Sequence, residues 1–217
     1  MQFTYQDKQF MKKFNSAIAL SLFGLLLSGG ACAEGWYAGL DLTTSKMDLK
    51  GEAEWAYNNK IIDNRLNGGS LIAGYDLNSW LAIEGGLHAQ RMSQQTTLTG
   101  AINGSIDSTI DTRSISIAAK LSQPLAWGFS AYAKPGLAYT STKVDATSSA
   151  YIPSMSMTTQ SSQTKGTVHP NLEVGMDYAF NDHFSAGIGY ERQFNAMTLG
   201  DEHYSLDTFK LGLRYHF

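Results

Sequence analysis

Cysteine is almost missing from this chain: Cys32 is the single one in 217 residues. That excludes a disulfide framework and a cysteine-based metal site. Proline is nearly as scarce, at four, and charged residues make up only 16%. Basic charge is in deficit, with 16 Lys and Arg against 19 Asp and Glu, which argues against nucleic acid as a partner. No apolar run approaches the ~20 residues of a membrane-spanning helix, and no stretch repeats apolar residues with the 3.6-residue period of an amphipathic helix. No two histidines stand at i, i+2 or i, i+4, no Gly-x-Ser-x-Gly elbow is present, and the glycine pairs sit within strand-like runs. These gaps leave no cofactor, no metal and no catalytic site to expect.

The longest apolar run is Ala17 to Leu27, preceded by Lys12 and Lys13 and followed by Ser28-Gly29-Gly30-Ala31-Cys32-Ala33. A charged n-region, a short h-region and an Ala-x-Ala site read as a secretory signal peptide over 1–33, cleaved after Ala33. Met11 is then a second candidate start. Lipidation of Cys32 is the competing reading, although Gly29 stands where a lipoprotein signal usually carries Leu. The remainder, 34–217, is one domain's worth of chain. Its Gly, Tyr, Phe, Ser and Thr are those of an all-β protein.

Alternation of apolar and polar residues is what fills that remainder. Trp36, Ala38, Leu40 and Leu42 oppose Tyr37, Gly39, Asp41 and Thr43; at the other end Phe209, Leu211, Leu213, Tyr215 and Phe217 oppose Lys210, Gly212, Arg214 and His216. Similar runs lie near Leu66–Tyr75, Leu81–Ser93, Arg113–Leu121, Phe129–Lys143, Val168–Phe180 and Phe184–Phe194. The links 76–80, 122–128 and 181–183 are short, whereas 44–65, 94–112 and 144–167 are long and 196–204 is intermediate. Eight alternating segments with connections sorted by length predict a closed antiparallel transmembrane β-barrel with periplasmic turns and extracellular loops. Aromatic residues at the predicted strand ends suit the two girdles of such a wall. Pro135 and Pro170 fall inside strands, where bulges are expected, and the Ser/Thr-rich segment 144–167 reads as a mobile loop.

Gly74-Tyr75, Leu81-Ala82-Ile83-Glu84-Gly85-Gly86, Ala119-Lys120-Leu121, Tyr132-Ala133-Lys134 and Gly175-Met176-Asp177-Tyr178-Ala179, closed by a terminal Phe217, resemble the OmpA-type barrel and its OmpX-type and opacity-type relatives over essentially the whole chain after residue 33. The resemblance implies residence in the outer membrane of a Gram-negative cell and a role as envelope-stabilising anchor or surface-presenting protein. An adhesin or host-factor receptor acting through its loops is the alternative; a narrow pore and a lipid A-modifying enzyme are the others. It also implies that Glu84, Lys120 and Asp177 belong to an interior charge network. Gly187 replaces the arginine expected on the seventh strand.

By alternation, the inward set holds Asp41, Glu84, Glu173, Asp177 and Glu191 with Lys120, Lys134, Lys210 and Arg214, which must interlock, since an isolated charge there costs several kcal/mol. Four cations, Arg91, Arg113, Lys143 and Arg192, fall outward near the predicted extracellular ends. A lipid-face cation costs only ~0–1 kcal/mol at the interface, so these four are either ordinary rim charges tolerated there or, since lipid A phosphates lie at that depth, contacts to lipopolysaccharide. The outer-membrane assembly machinery is expected to read Phe209, Leu211, Leu213, Tyr215 and Phe217, and host surface molecules to meet the loops.

Overall fold

The computed structural model describes residues 35–48, 65–98, 103–152, 155–199 and 202–217. Segment 1–33, expected to be an export signal, lies outside them, as does most of the first long connection. Eight strands run in chain order: β1 (Trp36–Met47), β2 (Arg65–Asp76), β3 (Leu81–Leu98), β4 (Asn103–Pro124), β5 (Phe129–Ile152), β6 (Met155–Ala179), β7 (Phe184–Leu199) and β8 (Glu202–His216). Each pairs antiparallel with the next, and β1 pairs with β8, so the sheet closes into a barrel. Closure satisfies the strand edges that lipid could not.

Turn chemistry defines one end. Asn78 Oδ1 accepts from the backbone N–H groups of Trp80 and Leu81 at 3.0 and 2.9 Å. Asn181 repeats this with His183 and Phe184 at 2.9 and 2.8 Å. Between β4 and β5 the chain reverses through Trp127 and Gly128, both at positive φ (59° and 81°); a side chain at Gly128 would be strained there. Around this turn end cluster paired aromatics, with ring centroids 5.2 Å apart for Trp36 and Tyr75, 4.8 Å for Phe129 and Tyr178, and 5.1 Å for Phe184 and Tyr215.

At the other end the strands are longer than alternation indicated. The described residues of 94–112 and 144–167, segments read from the sequence as loops, are instead paired strands: Gln94 faces Ser108, and Val144 faces Gln163. Links of only 99–102 and 153–154 join these strands. The expectation that 144–167 is a loop is therefore corrected. Beyond the packed lumen both faces of a strand meet water, so the period-2 signal vanishes while Thr, Val and Ile keep their β preference. Together β3 to β6 rise as a four-stranded flange above β1, β2, β7 and β8.

The two prolines are accommodated without the expected bulges. The β4–β5 ladder leaves Ala119 and Lys120 unpaired opposite Pro135 and Lys134, then resumes in the same register. Pro170 pairs with Leu137 on the β5 side, and the β6–β7 ladder begins only at Asn171. Each ring thus sits where its missing N–H has no ladder partner to disappoint. The register shift in the described ladders is elsewhere, between Gln193 and Met197 of β7, beside Asn195 at φ 55°.

Alternation sets what each face meets. Outward positions form an apolar belt; on β5 it runs from Phe129 through Leu137 to Tyr139 before giving way to Ser141 and Lys143. Leu42 and Val168, at 71% and 70% exposure, face what would be lipid.

Candidate functional site

The lumen is filled in layers. Nearest the turns, Tyr37 packs with Ile72 and Ala82 and donates from its hydroxyl to Glu84 Oε2 at 3.0 Å. Beside it Arg214 Nη1 meets Asp41 Oδ1 at 2.6 Å, and Lys120 Nζ meets Asp177 Oδ2 at 2.6 Å while lying 4.8 Å from the centroid of the Tyr132 ring.

Across the middle runs a chain of alternating charge. Glu84 is 2.5 Å from Lys134, Lys134 is 3.0 Å from Glu173, Glu173 is 2.8 Å from Lys210, and Lys210 is 2.8 Å from Glu191. The five side chains come from β3, β5, β6, β8 and β7 and are buried. Tyr132 donates to Glu173 at 2.7 Å, and Asn171 and Gln193 donate to Glu191. Every inward charge named from the sequence is in an ion pair. Two small residues make room: a Cβ on Gly187 would lie 2.1 Å from Asp177 Oδ1, and one on Gly212 would lie 2.2 Å from Asp41 Oδ1. The sequence reading missed the partners Tyr37, Tyr132, Asn171 and Gln193, although they share the inward parity.

Above the charges comes a neutral hydroxyl layer. His88 is held between Ser70 and Ser116 at 2.7 and 2.8 Å, Gln90 donates to Ser45 and Thr43 at 2.6 and 3.1 Å, and Thr140 bridges Ser114 and His169. Higher still, the inward residues turn apolar: Met47, Leu66, Ile110, Ala196, Met197, Tyr204 and Leu206 form one buried cluster, with Met92 and Val144 against it. So the wall inverts, from apolar-out and polar-in within the belt to apolar-in above it, as a barrel passing from lipid into water must. The cluster closes the lumen at the flange end.

The four outward cations sit at the upper margin of the belt and well below the ends of β3, β4 and β5. Three of them are already engaged. Arg91 forks onto Asp111 at 2.6 and 3.0 Å, Lys143 reaches Asp145 at 2.6 Å, and Arg192 spans Asp207 and Asp48 at 3.0 and 3.2 Å. Arg113, exposed between Ala89 and Ser141, makes no ion pair with any described residue. Outward acids were missed by the sequence reading because it followed only the basic residues. Phe209, Leu211 and Leu213 point outward at 61%, 57% and 50% exposure, with Tyr215 beside Phe184.

At the turn end Ser185 Oγ lies 3.3 Å from His216 Nε2, and His216 Nδ1 lies 3.9 Å from Asp76. The second gap is too long for the hydrogen bond that orients a triad histidine. No group of three or more His, Cys, Asp or Glu suited to a metal ion occurs among the described residues.

The family model described as "Outer membrane protein beta-barrel domain" matches residues 16–217. Solved structures add likenesses of fold. Ail, the attachment invasion locus protein of Yersinia pestis, in complex with the heparin analogue sucrose octasulfate, is 16% identical at a TM-score of 0.53, covering 85% of this chain and 100% of that one. Neisserial surface protein A is 13% identical at 0.56, covering 86% and 100%. No curated protein matches the sequence.

Proposed function

The chain belongs to the outer membrane protein beta-barrel domain family and resides in the outer membrane; from that premise we propose that it is a non-enzymatic surface-presenting anchor, its sealed barrel holding the β3–β6 flange outside the cell. The observation that carries this is the inversion of polarity at the rim. Below it the wall is built for lipid around a charge-locked lumen, and above it long paired strands continue into water with no membrane left to span. Such construction serves display, and a diffusive pore would have no use for an apolar plug.

The flange is also where an external ligand would dock. At its base, where it meets the belt, the outward face carries Arg91, Arg113 and Lys143 among Ser and Thr hydroxyls, a surface suited to a polyanion, and the similar barrel Ail has been seen with a sulfated sugar analogue. At the belt margin the same cations meet lipid A phosphates of the outer leaflet. We read residues 1–33 as the export signal, removed after Ala33, and the β8 pattern ending at Phe217 as the address for the assembly machinery. Shortening both hairpins, by removing 95–106 and 146–161, tests the reading. Cells carrying the shortened barrel are expected to keep it in the outer membrane and to lose adhesion to host cells, and replacing Arg91, Arg113 and Lys143 together by Gln is expected to abolish adhesion to heparin. Unchanged adhesion would overturn the display role.

A further inference from the structure

The lumen holds one carboxylate more than its cations can balance. Among the described residues Asp41 is matched by Arg214 and Asp177 by Lys120, but the central chain alternates Glu84, Lys134, Glu173, Lys210, Glu191. It begins and ends on a carboxylate, with three anions and two cations. A buried charge without a counter-charge costs several kcal/mol. The amides of Asn171 and Gln193 that reach Glu191 supply hydrogen bonds and no charge.

Glu191, at the end of the chain, borders a cavity of about 10 Å³, roughly the room of one water-sized particle. The cavity lies between the charge layer and the apolar plug. Its other walls include Thr43, Thr112, Ser114 and Thr208, whose hydroxyl oxygens are of the hard kind that alkali cations prefer, together with Gln90, Gln193, Lys210 and His88, the last with both ring nitrogens already within hydrogen-bond distance of Ser70 and Ser116. Thr112 is 4% exposed, and its Oγ1 has no hydrogen-bond partner in the protein. A buried hydroxyl left unsatisfied costs about 1–3 kcal/mol, so an oxygen lining this chamber lacks the very contact an occupant would give.

We propose that this chamber is an occluded site for one monovalent alkali cation, held by Glu191, Thr112 and the neighbouring hydroxyls, which completes the charge balance of the lumen. A divalent ion would leave the layer in excess by one positive charge, and Lys210 on the same wall opposes it further. A neutral water would satisfy Thr112 and leave the charge uncompensated. The site lies deep in the barrel and apart from the surface at which an external ligand would dock.

The test uses the full folded protein in a non-ionic detergent, measuring the temperature at which half of the compact, heat-modifiable band is lost. Sodium chloride is titrated against choline chloride at constant ionic strength. Occupancy at a hundredfold excess over the dissociation constant is expected to raise that temperature by about 5–10 °C. Thr112→Val, which keeps shape and removes the oxygen, is expected to abolish the sodium-dependent part, and Glu191→Gln to make the barrel indifferent to sodium. Equal midpoints in sodium and choline, or a sodium response that survives Thr112→Val, would overturn the proposal. Should Glu191→Gln fail to fold, the Thr112→Val comparison decides alone.

Discussion

Arg214 and Asp41 lie 173 positions apart in the chain and meet at 2.6 Å, joining the last strand to the first across the seam that closes the barrel. Both are buried, and Gly212 beside them leaves the space their contact needs. Breaking a buried pair by removing one partner costs about 3–5 kcal/mol. Asp41→Asn and Arg214→Met are each expected to lower the urea midpoint of the detergent-folded barrel accordingly. The double substitution should cost less than the sum of the two, and strict additivity in that cycle would show that the pair does not couple.

Gly187 offers a sharper test of the lumen. A methyl group there would stand 2.1 Å from Asp177 Oδ1, displacing Asp177 from Lys120. Overpacking of this kind costs about 1–3 kcal/mol, so Gly187→Ala should destabilise the folded band. Gly187→Ala combined with Asp177→Ala and Lys120→Met should recover part of the loss. If the single substitution is silent, the close approach does not constrain the barrel.

The β5–β6 hairpin is paired from Val144 opposite Gln163 to Ile152 opposite Met155. Its amides are therefore expected to exchange more slowly than those of an open loop, and protease added to whole cells should not cut first within 144–152 or 155–167. Removing 146–161 should leave the barrel heat-modifiable, because the apolar belt and the lumen charges lie below it. Rapid exchange along both strands would contradict the paired geometry.

Lipopolysaccharide contact at the rim is expected to centre on Arg113, since Arg91, Lys143 and Arg192 already share Asp111, Asp145, Asp207 and Asp48. An exposed guanidinium is free to fork onto a phosphate. Arg113→Gln should reduce heat stability in lipopolysaccharide-containing bilayers and leave it unchanged in phosphate-free detergent. A loss of the same size in both media would point to a structural role for Arg113 instead.

Deleting Phe217 is expected to leave the protein in the periplasm, measured by fractionation, because the outward series Phe209, Leu211, Leu213 and Tyr215 would lose its terminal aromatic. Normal insertion would remove this residue from the assembly address.

Alternation by itself determined the eight strands, the parity of each residue and therefore which charges share the lumen. Lipid and a filled interior impose opposite demands on successive residues, and that demand is written locally. What lies above the membrane was not legible in this way. Beyond the plug, water on both faces erases the period, so 94–112 and 144–167 showed mainly their polarity, and pairing between strands is what orders their described residues. The plug was hidden for a related reason: Met47, Leu66, Ile110, Met197 and Leu206 come from separate strands, and no local window contains them together. Nor could parity say that Lys134 would stand between Glu84 and Glu173, or that Arg91 would find Asp111. Those choices depend on the register with which distant strands pair and on the tilt that brings five of them to one level, and only closure of the barrel settles both.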